Sequence, residues 1–255
     1  MASLGNRIRS ALARRFLVNL RRATHRLPVE LETPVASRLL VIAPHMDDEV
    51  IACGGTLLLH RRLKSEVRIV FVSDSSAGIR DAAIAERVSA VRSAEMAQVR
   101  ERLGIGSIAE LGYPDGSLVR HEAAIAQSLA DQIAAFAPER VLAPFPLDGH
   151  ADHQACGLAC AEAMRVSGWG GEVLAYEVWS TLWPNMAIDI GEVADEKAAL
   201  IRLYASQMND RDYVSAILGL NRYRGLQHRI EYAEAFHRCS PAQYHQLTAC
   251  LDRVI

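Results

Sequence analysis

Apolar residues along this chain fall into two alternating patterns. Short continuous runs, at residues 39–43, 67–72, 108–111, 141–145 and 173–179, read as strands buried on both faces. Between them, apolar positions recur every three to four residues, which predicts helices over residues 50–63, 82–103 and 121–136 and one ending near Met164. Gly104 follows the second of these as a helix stop. Strand alternating with helix implies an α/β fold with a mainly parallel sheet and right-handed crossovers. Farther along, the pattern predicts a sixth strand at 186–190, helices at about 193–208, 211–219 and 228–238, and a last helix from Ser240-Pro241. There is no internal repeat or low-complexity tract. One domain over residues 38–255, preceded by an arm of residues 1–37, is the simplest division.

In parallel sheets, ligands sit at the carboxyl ends of the strands, and two of these ends carry dense polar chemistry. Pro44 stops the first run, and His45, Asp47, Asp48 and Glu49 follow at once. The fourth run leads into Asp148, His150, Asp152 and His153. Clustered carboxylates repel one another in a dry site unless a cation neutralises them. His45 and Asp48 are three residues apart, and His153 is the best third donor. Two histidines and a carboxylate with an open position form a ligand set of catalytic zinc, with Fe2+ as an alternative. Zinc so held lowers the pKa of water to about 7 and polarises a carbonyl.

Asp47 lies beside a ligand but stays free of the metal, so it can take a proton from the attacking water and pass it to a leaving amine. His150, protonated or as a neutral N–H donor, suits a developing oxyanion. Asp152 orients an imidazole, and Glu49 caps the helix that follows. Gly54-Gly55 marks a close approach to that helix.

Composition narrows the classes. The 255 residues carry a net charge of −2, so nothing draws the whole molecule to nucleic acid. Seven arginines precede the first acid, Glu30, and without them 21 bases face 30 acids, a body of −9. Leu4, Ile8, Leu12, Phe16 and Leu20 place one apolar stripe on this basic arm. Such a helix can pack on its own domain, on another subunit of a homo-oligomer, or peripherally on an anionic membrane through residues 1–29. Five cysteines without a C-x-x-C pair indicate reduced thiols and a cytoplasmic setting, and Cys156 and Cys160 read as core thiols.

His45-Met46-Asp47-Asp48-Glu49 and His150-Ala151-Asp152-His153 resemble the paired motifs of the PIG-L/LmbE-like N-acetylglucosaminyl deacetylase family. The similarity extends through Arg92-Ser93-Ala94-Glu95 and Leu111–Gly116, and more weakly through Tyr176-Glu177 and Ser206-Gln207. It covers about residues 38–238. It implies a Rossmann-like three-layer αβα fold and a zinc hydrolase that removes an acyl group from an amino-sugar nitrogen. By motif position, His45, Asp48 and His153 hold the metal, Asp47 is the base and His150 stabilises the oxyanion. Arg92 and Asp115 match positions that bind the sugar or its attached group. Their plainer readings are an Arg92–Glu95 surface pair and a turn aspartate. Met46 stands where the family usually has proline. Asp148 stands where the mycothiol-pathway members carry tyrosine, which weakens that assignment.

Gly104 and Gly106 follow a helix and precede a strand, the wrong context for a dinucleotide fingerprint, and no G-x-S-x-G elbow supports a serine hydrolase. A non-catalytic metal- or carbohydrate-binding protein is the remaining alternative. The expected partner is a small amino-sugar or glycoconjugate, for which Trp169, Trp179 and Trp183 are candidate stacking faces.

Overall fold

The computed structural model describes residues 29–76, 79, 81–208 and 211–248. The arm helix and Cys250 lie outside them. In chain order the elements are β1 (Glu30–Glu32), β2 (Arg38–Ala43), α1 (Asp48–Arg62), β3 (Glu66–Ser73), α2 (Ala82–Leu103), β4 (Ser107–Tyr113), α3 (Glu122–Phe136) and β5 (Arg140–Pro144). After these come α4 (Ala151–Ser167), β6 (Glu172–Tyr176), β7 (Met186–Asp189), α5 (Ala194–Leu203), α6 (Tyr213–Gly225), β8 (Ala233–Cys239) and α7 (Pro241–Thr248).

The strands make one eight-stranded sheet in the order β1-β7-β8-β6-β5-β2-β3-β4. Every pairing is parallel except those of β8. Leu40 and Ile42 of β2 pack among residues of α3, α4 and α7, whereas Leu39 and Val41 pack among residues of α1, α2, α5 and α6. The continuous apolar run thus serves two helical layers, giving an αβα sandwich. β1 lies ahead of residue 38 and pairs with β7.

Residues 228–238, expected as helix, instead give β8. Glu234-Ala235 favour a helix locally, but β6 and β7 flank the segment and six of its seven residues are buried. Tertiary burial overrides the local preference. The helix expected over 193–208 stops at Leu203, and a short 3-10 turn follows at Ala205–Gln207. β6 ends at Tyr176, short of the expected Trp179, because Glu177 accepts from Leu182 N–H and engages Arg224 with both oxygens, turning the chain away from the sheet.

β2 lies between β3 and β5. From β2 the chain winds outward through β3 to β4, then crosses back to β5 on the other side. The carboxyl ends of β2 and β5 therefore meet where the winding reverses, the usual crevice for ligands in open α/β sheets.

Candidate active site

The loop from β2 to α1 holds three successive amides by side chains. His45 N–H donates to Asp48 Oδ2 (2.9 Å), Met46 N–H to Ser75 Oγ (2.9 Å) and Asp47 N–H to Glu49 Oε2 (3.0 Å). Glu49 is fully buried and takes the Tyr204 hydroxyl on its other oxygen at 2.6 Å. Burial pushes the Glu49 carboxyl up to about 7. These ties hold Asp47 at φ 130°, a backbone setting that costs a non-glycine residue about 1–3 kcal/mol. Asp47 stands at the N-cap of α1, yet its side chain makes no capping bond and lines the cleft instead.

The loop from β5 to α4 brings the second cluster alongside. The rings of His45, His150 and His153 lie 4.9–5.4 Å apart, centre to centre. Asp48 Oδ2 is 3.4 Å from His45 Nδ1 and 3.3 Å from His153 Nε2. His45, Asp48 and His153 each offer a donor atom within 4.8 Å of the others, and His45, His150 and Asp152 form a second such group. His153 is wholly buried, and neither ring nitrogen makes a hydrogen bond. An inward-facing imidazole without a hydrogen-bond partner, beside a carboxylate and a second imidazole, suits a divalent cation.

Burial opposes charging His153, but Asp48 and Asp148 raise its pKa to about 9. His45 is likewise opposed by burial but raised well above its usual value by Asp115, Asp152 and Asp48. Burial alone would raise Asp48, yet the His153 and His45 rings hold it well below the carboxylate range. Burial and the neighbouring Asp48 push Asp47 well above it. His150 is lowered by burial and by the other two rings. Its Nδ1 accepts the Asp152 amide at 3.2 Å, so the neutral ring carries its proton on Nε2.

Asp152 lies against His45, Oδ2 to Nε2 3.2 Å, and its carboxylate is fixed by the amides of Gly116 (2.7 Å) and Leu118 (3.1 Å). Arg92 is buried rather than paired on the surface. Its guanidinium meets Gln207 Oε1 at 2.6 Å and Asp115 at 3.8 Å, while Glu95 binds the amide and hydroxyl of Ser206. Asp115 and Arg92 both line the cleft of about 340 Å³ above the clusters. Of the three tryptophans, Trp179 lines this cleft. Trp169 packs against the core and donates to Pro138 O, and Trp183 is exposed. Cys156 and Cys160 are buried in the core.

Two contributors escaped the reading of the sequence. Asp148 is buried, with Oδ1 3.4 Å from His153 Nδ1, in the place a carboxylate takes behind a metal-binding histidine. Its other oxygen accepts the amides of Trp179 and Ser180, so the same side chain sets the cleft wall. Its position two residues before His150 was the available signal. Tyr204 had none, because it reaches Glu49 from 155 positions away.

Residues 40–164 match the model of the PIG-L family, GlcNAc-PI de-N-acetylase. The chain is 27% identical over 187 residues to the diacetylchitobiose deacetylase of Thermococcus kodakarensis, covering 67% of this chain and 70% of that one. Among solved structures, it superposes on an N,N'-diacetylchitobiose deacetylase from Pyrococcus horikoshii with a TM-score of 0.71 at 24% identity, over 91% of this chain and 94% of that one. It also superposes on GalB, the 4-carboxy-2-hydroxymuconate hydratase of Pseudomonas putida KT2440, with a TM-score of 0.67 at 23% identity, over 79% and 95% of the two chains. The fold therefore serves more than one chemistry, and the paired motifs and the match over residues 40–164 carry the assignment. Residues 40–164, the segment that carries both motifs, belong to the PIG-L family of de-N-acetylases, hydrolases that act on amide bonds.

Proposed function

We propose that this chain removes an N-acetyl group from an amino-sugar conjugate in a zinc-dependent hydrolysis, with His45, Asp48 and His153 as metal ligands. The observation that carries the reading is Asp47, an N-cap carboxylate left out of capping and turned into the cleft beside the two-histidine, one-aspartate cluster. A divalent ion held there supplies a Lewis acid for the amide carbonyl and lowers the pKa of water. Asp47 takes the proton from the attacking water as the new C–O bond forms, then passes it to the nitrogen as the C–N bond breaks. Acetate and a free amine are the products. His150 donates from Nε2 to the carbonyl oxygen while that atom carries negative charge. Asp152 keeps the His45 ring in place, and Arg92 and Asp115 orient the sugar.

Asp47→Asn should lower acetate release from an N-acetylglucosamine conjugate by about 10²–10⁴-fold while zinc remains bound at one equivalent. Full activity in that variant would sink the assigned mechanism. A zinc-loaded wild type that releases no acetate from any N-acetylated amino sugar would favour a binding protein instead. Reconstitution with Fe2+ against Zn2+ identifies the working metal.

A further inference from the structure

The cleft has two zones of opposite character. Its floor is rich in acids, with Asp47, Asp48 and Asp115, and is described above. Its outer wall is formed by Val178, Trp179, Arg211 and Tyr213, with no carboxylate among them. Trp179 is 46% exposed and stacks outward of His150, ring centres 6.5 Å apart and planes 24° apart. Arg211 lies over the indole with its guanidinium carbon 4.9 Å from the ring centre. Tyr213 meets Trp179 edge-on at 6.1 Å, and its hydroxyl accepts from Arg211 Nη1 at 3.2 Å. Asp212 is adjacent in sequence but turns away to cap α6, accepting Ser215 N–H at 3.0 Å.

A ring face and a phenol fix the Arg211 guanidinium without neutralising it. Among the described residues, no carboxylate lies within ion-pair distance of it. Arg92, deeper in the same cleft, contrasts with it in already meeting Asp115 and Gln207. A stacked guanidinium keeps its remaining N–H donors in one plane, the geometry that matches a carboxylate or phosphate.

We propose that Arg211, held on the face of Trp179, receives an anionic group, a carboxylate or phosphate, on the part of the substrate linked to the acylated amino sugar. This rests on the deacetylase reading above and adds to it the class of conjugate, which is acidic rather than neutral or cationic. The reacting sugar sits at the floor and its attached group passes along the indole to Arg211. A cationic group would meet like charge there.

The test uses the zinc-loaded full chain and three glycosides of N-acetylglucosamine with the same short linker, ending in a methyl, a carboxylate or a trimethylammonium group. The wild type should favour the carboxylate over the methyl glycoside in kcat/KM by about 10-fold, the scale of one charge-assisted hydrogen bond, chiefly through KM. Arg211→Gln should bring that ratio to about 1, Arg211→Glu should shift preference toward the ammonium glycoside, and Trp179→Ala should weaken the ratio because the guanidinium loses its support. Added salt should shrink the wild-type ratio. Calorimetric titration of the same glycosides into Asp47→Asn protein gives the order of binding independently of turnover. A ratio near 1 in the wild type, an unchanged ratio in Arg211→Gln, or no binding of any of the three overturns the proposal. Selective binding of the carboxylate glycoside that disappears in Arg211→Gln, without acetate release by the wild type, would uphold the anion subsite and defeat the deacetylase reading.

Discussion

Asp47 occupies a backbone conformation that an aspartate adopts only when its surroundings impose it, and three side chains from different parts of the chain do so. Ser75 and Glu49 hold the amides of residues 46 and 47, and Tyr204 holds Glu49. Strain of this sort gathers at functional sites because it aims one group. In the proposed metal site, Asp148 does comparable work behind His153. A metal-binding imidazole keeps its orientation when its second nitrogen faces a carboxylate, and losing such a partner typically costs about 10–100-fold in metal affinity. Asp148→Asn should therefore weaken zinc binding by about that factor, read by competition with a chromophoric chelator, with the far-ultraviolet circular dichroism unchanged. Unaltered zinc affinity would mean that Asp148 only anchors the Trp179 loop.

The element that brings these residues together is α1, fixed from behind by a buried network. Glu234 of β8 accepts the amides of Gly55 (2.7 Å) and Thr56 (2.8 Å), the Thr56 hydroxyl (2.6 Å) and the ammonium of Lys197 (2.7 Å), and Lys197 also donates to Asn221. Lys197 and Glu234 are at most 1% exposed. Removing one partner of such a pair leaves a charge uncompensated in the interior, at a cost of about 3–5 kcal/mol. Lys197→Met should thus lower the free energy of urea unfolding by about 3 kcal/mol, and a loss below about 1 kcal/mol would show that the amide donors alone satisfy Glu234. This network explains what the sequence made legible and what it concealed. Gly54-Gly55 signalled a close approach, and a Cβ at Gly55 would meet Ile190 Cγ2 at 2.6 Å. The acceptor of the Gly55 amide was not readable, because Glu234 sits in a segment whose local composition favours a helix and which becomes a strand only between β6 and β7. The paired motifs were legible because each lies within a few residues of a strand end. Tyr204 reaches Glu49, Arg211 reaches Trp179 and Asp148 reaches the Trp179 loop across long separations, and local pattern carries little trace of that.

At the scale of the whole molecule, the five apolar runs that form β2 to β6 foretold a parallel sheet, and the two clusters meet because its winding reverses between β2 and β5. Among the described residues, no helix is long and apolar enough to cross a membrane. The edge of the sheet away from the cleft makes its own contribution to the pH response. His60, in the last turn of α1, is 2% exposed, with Nδ1 2.9 Å from Ser65 Oγ. Burial, then the charge of Arg140, lowers its pKa from 6.5 to about 4. A charged histidine would suit a helix C-terminus, but burial wins. Between pH 6.5 and 4 the unfolded chain binds a proton at His60 that the folded protein refuses, so stability falls with pH across that window and levels off below it. The full loss is on the order of 3 kcal/mol. His60→Gln should keep a polar partner for Ser65 while removing this titration. The difference in unfolding free energy between wild type and variant should then change by roughly 2–3 kcal/mol from pH 7 to pH 4.5, in the direction that makes the variant the more acid-tolerant. Urea unfolding at fixed zinc concentration and at matched pH values measures that difference, and parallel curves for the two proteins would place the acid sensitivity elsewhere in the chain.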